Sequence, residues 1–500
     1  YMDDFMHLVG NARVMEGEML FSWRRLLPYL AYFLIYKVAG FSPFAFHLLN
    51  LTIHLTFSLF VLRSMRDFER YLLPFRRHEK EGWISLPLLV ALVFVCHPLG
   101  SEPVNYARCT PILLVGAFSY LAGWATMLFI CGRDRRGVSA AVVVVAVAGA
   151  TFSKDPGLIH ALGTVAVVAW FCRGFGATGE SAGKRWPILA SAMCAVVLAS
   201  PAVYLINVGL NAVVRPEFIH HALTHGRVFW MYVQRMLLPV RLSVDHYIQW
   251  TNSWQDWPAL IGMLGIVVLI AVVLVYGKRN RLLAIAVCLT AFHLLLRMGY
   301  VIGHEMMVEY RTYPSLPWLA VLFALLIVWL SSRLAIKPEL VRICTVAFVL
   351  FLGLLSISRS ILWAKPSALA RDALRQYPDN NRARGALMKQ LLLQEQYDEV
   401  GREHQAMLDS VRTMTALNSL PNASRRYDAQ RLIGDWTVGE VNYAPALVKL
   451  EGAEAALAHL DRTIDVLRGE SSAAGEEVEA GALKDLIELR ERVRKLKQGQ

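Results

Sequence analysis

Charge is scarce in this 500-residue chain, at 18% of residues, and it leans one way, with 51 Lys and Arg against 39 Asp and Glu. A soluble domain carries roughly 25%. No CxxC pair occurs among the seven cysteines at 96, 109, 131, 172, 194, 288 and 344. That excludes the usual zinc and disulfide frameworks, and the thiols read as small apolar fillers. The apolar segments carry no internal repeat, which argues against the pseudo-symmetric halves of a transporter. Long apolar runs end near Ser360. The first residue is Tyr1 rather than Met, so an upstream membrane helix is expected before it.

What is present is apolar residue, 56% of the chain, gathered in blocks. About 20 residues rising ~1.5 Å each cross the hydrocarbon core of a bilayer. Ten blocks approach that length: 44–62, 83–96, 111–131, 138–152, 157–172, 187–208, 258–276, 282–298, 316–330 and 341–357. The shorter stretch 26–36 is expected to lie in the interface. The loops between blocks fall into two alternating sets. Loops 63–80, 133–136, 173–185, 278–281 and 333–337 are all basic. By the positive-inside rule they are cytoplasmic. Residues 1–43, 97–110, 153–156, 209–257, 299–315 and everything after 358 then lie outside. The net charge of +12 is thereby explained by topology, and a nucleic-acid partner is not expected.

After Trp363 the composition turns to Ala, Leu, Arg, Glu and Gln at helical spacing, with Ala370, Leu374, Ala383 and Leu387 three to four residues apart or in register. Tyr377-Pro378-Asp379-Asn380-Asn381 and residues 394–400 read as turns between helices. A related stretch recurs at 450–464, at an offset other than the ~34 residues of a tetratricopeptide repeat. Residues 415–426 and 468–481 read as loops, and 482–497 as a charged amphipathic helix. The expected organisation is all-α: a polytopic membrane domain over 1–360 and an outer helical-repeat domain over 361–500.

The polar residues that matter lie in the outer set. Asp3-Asp4 can act as a base if an alcohol is held close to it. By itself the pair reads better as a solvated loop. His97, Glu102 and Arg108 follow the second block, and a guanidinium there can hold phosphate or carboxylate. Lys154-Asp155 stands between two blocks, where a cation runs against the topological bias. Arg227, Arg235 and Arg241 add further positives. His304, Glu309 and Arg311 form the densest outer cluster. His47, Asn50 and His54 share one face of the first block and read as helix–helix hydrogen-bonding groups or as the wall of a cavity, with packing the favoured role.

These stretches resemble the GT-C class of membrane glycosyltransferases, in particular the branch with a protein O-mannosyltransferase-like membrane domain and C-terminal tetratricopeptide repeats. The resemblance rests on Asp3-Asp4, on His47 through His54, on His97-Pro98 with Glu102 and Arg108, on Ser153-Lys154-Asp155, on 238–245, and on Glu309-Tyr310-Arg311-Thr312-Tyr313-Pro314-Ser315, in that order. The family's Lys-Glu stands here as Lys154-Asp155. The resemblance implies inverting transfer of a sugar from a polyprenyl-phosphate donor to a hydroxyl of a protein acceptor. Asp3 and Asp4 would be the catalytic pair. Arg311, Arg108 and Lys154, with His304, Glu309, Arg241, His97 and Glu102, would contact the phosphate and the sugar. It implies no metal and no cofactor beyond the lipid-linked donor, a bacterial inner-membrane setting with the site and the helical domain facing the periplasm, and an acceptor protein recruited by the repeats. A flippase for lipid-linked sugars, a glycan or lipid acceptor, and a membrane-anchored scaffold are the alternatives.

Overall fold

The computed structural model describes residues 25–73, 85–132, 136–172, 216–249, 251, 255–277, 279–296, 306–334, 336–417, 424–470 and 476–498. Asp3, Asp4, His304 and the block at 187–208 lie outside these residues. Among the described residues the chain is all-helical, with 18 α-helices, short 3-10 turns and one isolated bridge between His246 and Met307.

Twelve helices occupy the apolar part: α1 (Leu26–Ala39), α2 (Pro43–Leu72), α3 (Leu86–Cys96), α4 (Ser101–Asn105), α5 (Thr110–Cys131), α6 (Arg136–Thr151), α7 (Gly157–Cys172), α8 (Pro216–Leu237), α9 (Trp257–Tyr276), α10 (Arg281–Leu295), α11 (Leu316–Arg333) and α12 (Pro338–Trp363). Proline stands in the first turn of α2, α3, α5, α9, α11 and α12. Its fixed φ suits that position, and the amide hydrogen it lacks has no partner there anyway. Asp256 and Asn280 cap α9 and α10 by accepting from the backbone N–H of Ala259 and Leu283.

Among the described residues, four helical segments are long and apolar enough to cross a membrane: Pro43–Leu72, Ala107–Cys131, Glu309–Arg333 and Pro338–Trp363. This is consistent with a membrane protein. The second block departs from a simple crossing. It is helical only over Leu86–Cys96 and then bends by 53° into Pro98–Asn105, which makes a fifth crossing if the pair is one broken span. Pro98 cannot continue the hydrogen-bond ladder, and His97 accepts from Leu99 N–H to start the next turn. Four of the remaining blocks form the shorter apolar helices Arg136–Thr151, Gly157–Cys172, Trp257–Val273 and Arg281–Leu295. Along α12 the side chains of Leu350, Leu354, Ile357 and Ile361 are exposed. Such a stripe costs little against lipid and much against water.

The described helix ends gather in two groups. In one, Cys131 hydrogen-bonds Cys172 beside Arg281, Gly132 lies near the Tyr71 hydroxyl, and Gly277 lies against Phe171. The described flanks of the basic stretches at 133–136, 173–185 and 278–281 meet at this end, and residues 63–72 of the expected first basic loop continue α2. In the other, Tyr32 donates to the Ala107 carbonyl, Asn105 to Ser360 Oγ, and Leu27 N–H to the Phe152 carbonyl. The polar candidates collect there. Between the two ends, Phe57, Phe94, Tyr120, Tyr313 and Trp318 pack edge-on and tilted in the core.

Asn50 and His54 fasten this frame, as their helical spacing suggests. Asn50 Nδ2 donates to the carbonyls of Pro103 and Tyr106, and its Oδ1 accepts from Thr110 at 2.6 Å. His54 Nδ1 pairs with the Tyr313 hydroxyl at 2.8 Å. The turn before α7 is equally tight, because a Cβ on Gly157 would collide with the Ala150 carbonyl oxygen. Gly157→Ala is therefore expected to cost about 1–3 kcal/mol by overpacking. The readout is a lower Tm in detergent. Gly137→Ala, which meets nothing within 4 Å, should leave the Tm unchanged.

The C-terminal part comprises α13 (Pro366–Gln376), α14 (Asn381–Leu393), α15 (Tyr397–Leu417), α16 (Ser424–Glu451), α17 (Ala453–Glu470) and α18 (Glu476–Lys497). The expected turns fall where these helices meet. Asn380 caps α14 by accepting from Ala383 N–H, and Glu395 turns the chain with φ 60°. The loops expected at 415–426 and 468–481 are shorter than the composition suggests, since α15 and α17 run on to Leu417 and Glu470. Leu387, Met388, Leu391, Val400 and Met407 form one core, and Leu447, Leu460, Ile464, Leu486 and Val493 another.

Candidate functional site

The short helical turn Glu309–Ser315 leads directly into α11 and lies against α5 and α10. The order of its residues sends three side-chain functions to different places. Glu309 is buried. Its Oε1 accepts from Ser243 N–H at 2.6 Å and pairs with His246 Nε2 at 2.9 Å. Tyr310 offers its ring to two cations, with Lys154 Nζ 5.3 Å and Arg311 Cζ 5.7 Å from the ring centre. Its backbone N–H donates to Glu102 Oε2 at 2.8 Å. Glu102 is itself buried in α4, just beyond the bend after α3.

Glu102, Lys154 and Arg311 therefore meet around Tyr310. They come from three separate stretches of sequence, at 97–110, 153–156 and 299–315. Two cations at one aromatic ring, beside a fixed carboxylate, suit an anionic group such as a phosphate, with the ring steering cation position. Arg108 occupies the turn Ala107–Cys109 at the start of α5, and the carbonyl of its neighbour Ala107 takes hydrogen bonds from Tyr32 and Thr110.

Three of the expected contact residues, His97, Glu309 and Arg241, also have structural roles. His97 is buried with both ring nitrogens engaged: Nε2 with the Met236 carbonyl at 3.0 Å and Nδ1 with Leu99 N–H at 3.2 Å. It pins α8 to the bend rather than offering a nitrogen to a ligand. Glu309 is buried, with its Oε1 engaged by Ser243 and His246. Arg241 is exposed and stands at a left-handed φ of 58°. It shapes the turn that lets Leu242–His246 fold inward.

That inward turn is docked on the C-terminal helices. His246 Nδ1 pairs with the Tyr377 hydroxyl at 2.9 Å. The buried Asp245 accepts from Arg382 Nε at 2.7 Å, its carbonyl accepts from Asn380 Nδ2, and the Leu242 carbonyl accepts from Gln376 Nε2. Burial pushes the Tyr377 phenol up, against the pull of the Arg235 guanidinium that hydrogen-bonds it. Glu309, His246 and Tyr377 thus form a continuous chain of contacts from the turn that carries Arg311 to the helical domain.

Glu309→Ala leaves the Ser243 and His246 donors buried and unpaired, at about 1–3 kcal/mol each. The expected outcome is a marked fall in Tm and faster proteolysis near residue 365, with Glu309→Gln less affected because it keeps one acceptor.

Sequence reasoning passed over Tyr310, His246, Tyr377 and Arg359. Arg359 is buried near the end of α12. Its Nη1 donates to Asp372 at 2.9 Å, while Nε and Nη2 have no hydrogen-bond partner among the described residues. The available signal was an arginine near the end of a 26-residue apolar helix. Compared with protein-family models, curated proteins and solved structures, the chain finds no match in any of the three.

Proposed function

We propose that the chain is an inverting glycosyltransferase of the bacterial inner membrane. It transfers a sugar from a polyprenyl-phosphate donor to a hydroxyl of a protein acceptor, at the periplasmic face. The observation that carries this reading is the gathering of Lys154 and Arg311 on Tyr310, next to Glu102, at the end of the apolar helices away from the basic loops. A lipid phosphate at that depth needs cations that are already in place, because water there is too scarce to stabilise charge.

In the reaction, Asp3 takes the proton of the acceptor hydroxyl. The oxygen attacks the anomeric carbon, and the bond to the lipid phosphate breaks with its electron pair on the phosphate. Lys154 and Arg311, with Arg108 near the same end, hold that developing charge. Asp4 supports Asp3. The C-terminal helices bind the acceptor protein in the manner of tetratricopeptide repeats.

The test is reconstitution of the full-length protein in liposomes with polyprenyl-phosphate sugars and the proteins of its own membrane, scored by glycopeptide mass spectrometry. Sugar-dependent modification of Ser, Thr or Tyr is the expected result. Movement of the lipid-linked sugar across the bilayer without any transfer would support a flippase and end the proposal.

A further inference from the structure

A second polar cluster lies apart from the membrane helices. His404 on α15, Glu440 on α16 and His459 on α17 converge from three consecutive helices. His404 Nε2 is 2.9 Å from Glu440 Oε1, and His459 Nε2 is 2.6 Å from Glu440 Oε2. The ligand atoms of all three lie within 4.8 Å of one another. We propose that His404, Glu440 and His459 form a site for a divalent transition metal, with Zn²⁺ the best-matched ion, that fastens α15, α16 and α17 together.

Two imidazoles and a carboxylate are a donor set that Zn²⁺ takes with a fourth, open position for water. Ligands at ~2.0–2.1 Å in a tetrahedron stand about 3.3 Å apart, so an ion needs the two hydrogen-bonded pairs, at 2.9 and 2.6 Å, to open and the widest pair of ligand atoms, within 4.8 Å, to close by side-chain adjustment. The surroundings hold the donors in place. The His404 ring stacks on Tyr443 at 3.9 Å and 7°, and Trp436 Nε1 donates to Glu440 Oε1 at 2.7 Å. Such outer partners orient a metal's ligands. The His459 side chain keeps 19% of its surface exposed, against 4% and 1% for the other two, which leaves a way in for the ion.

Binding replaces each Nε2–H···O contact with an Nε2–metal bond. A neutral ring then carries its proton on Nδ1, and a doubly protonated ring releases one. No step of the proposed sugar transfer passes through this ion.

The experiment uses the full chain in detergent, stripped with a chelator and titrated with Co²⁺ near neutral pH. One equivalent is expected to bind with the intense visible bands of a four- or five-coordinate site, and Zn²⁺ is expected to displace it. His404→Gln and His459→Gln should each weaken binding more than ~100-fold, and Trp436→Phe about 10-fold, the range for loss of an outer partner. Circular dichroism checks that the helices persist. Wild-type protein that takes up no equivalent of Co²⁺ overturns the site, whatever the variants do, and leaves a metal-free hydrogen-bond cluster. Uptake undiminished in the double variant overturns it as well, since the ion is then held by other histidines of the 14 in the chain.

Discussion

Asp3→Asn in the full-length protein is expected to lower sugar transfer roughly 100- to 10,000-fold, the usual contribution of a positioned general base. Asparagine keeps the shape of the side chain and loses the ability to take a proton. Binding of the polyprenyl-phosphate donor, followed by fluorescence of a labelled lipid, should stay within about twofold. Asp4→Asn should cost less, because its part is to support its neighbour. Transfer that survives Asp3→Asn unchanged removes Asp3 as the base and makes Asp4 the next candidate. Loss of donor binding together with transfer would instead assign the pair to ligand binding.

Arg311→Ala is expected to reduce kcat by roughly 100- to 1,000-fold, as loss of one preorganised donor to a developing oxyanion does elsewhere. The reason is local. Arg311 and Lys154 share the Tyr310 ring, so under the proposed function each is held in place before the lipid phosphate leaves. Arg311→Lys should recover part of the loss, since it restores charge without the planar fork. Lys154→Gln should act in the same direction. The decisive measurement is kcat against KM over a donor titration. A rise in KM with kcat unchanged would make Arg311 a ground-state anchor and sink its role in stabilising the leaving group.

The helix pattern was legible because its causes are local. The apolar blocks at 111–131 and 258–276 begin at the prolines that stand in the first turns of α5 and α9, and the Asn380 turn marked the start of α14. Asn50 and His54 could be read as fastening groups from spacing alone. Other features depend on contacts between distant parts of the chain. His97-Pro98 announced a break, but the bend that follows it is held by carbonyls that Asn50 collects from Pro103 and Tyr106. Glu309 and Arg311 stand two residues apart in one polar loop. Nothing local says that the first is consumed by Ser243 and His246 while the second lies on Tyr310. The cluster of His404, Glu440 and His459 was hidden for the same reason, with separations of 36 and 19 residues that match no ligand motif.

The change of composition near residue 360 suggests a place to cut, with the apolar helices on one side and a detachable helical domain on the other. The docking of Leu242–His246 makes that boundary a poor one. A chain ending at Trp363 would lose Tyr377 and Arg382 together. Asp245 would then be a buried carboxylate without its guanidinium, and His246 would keep Glu309 but lose its second partner. The cost falls on the turn that carries Tyr310 and Arg311, well away from the cut. The C-terminal helices are in this sense a wall of the membrane part as well as an appendage to it.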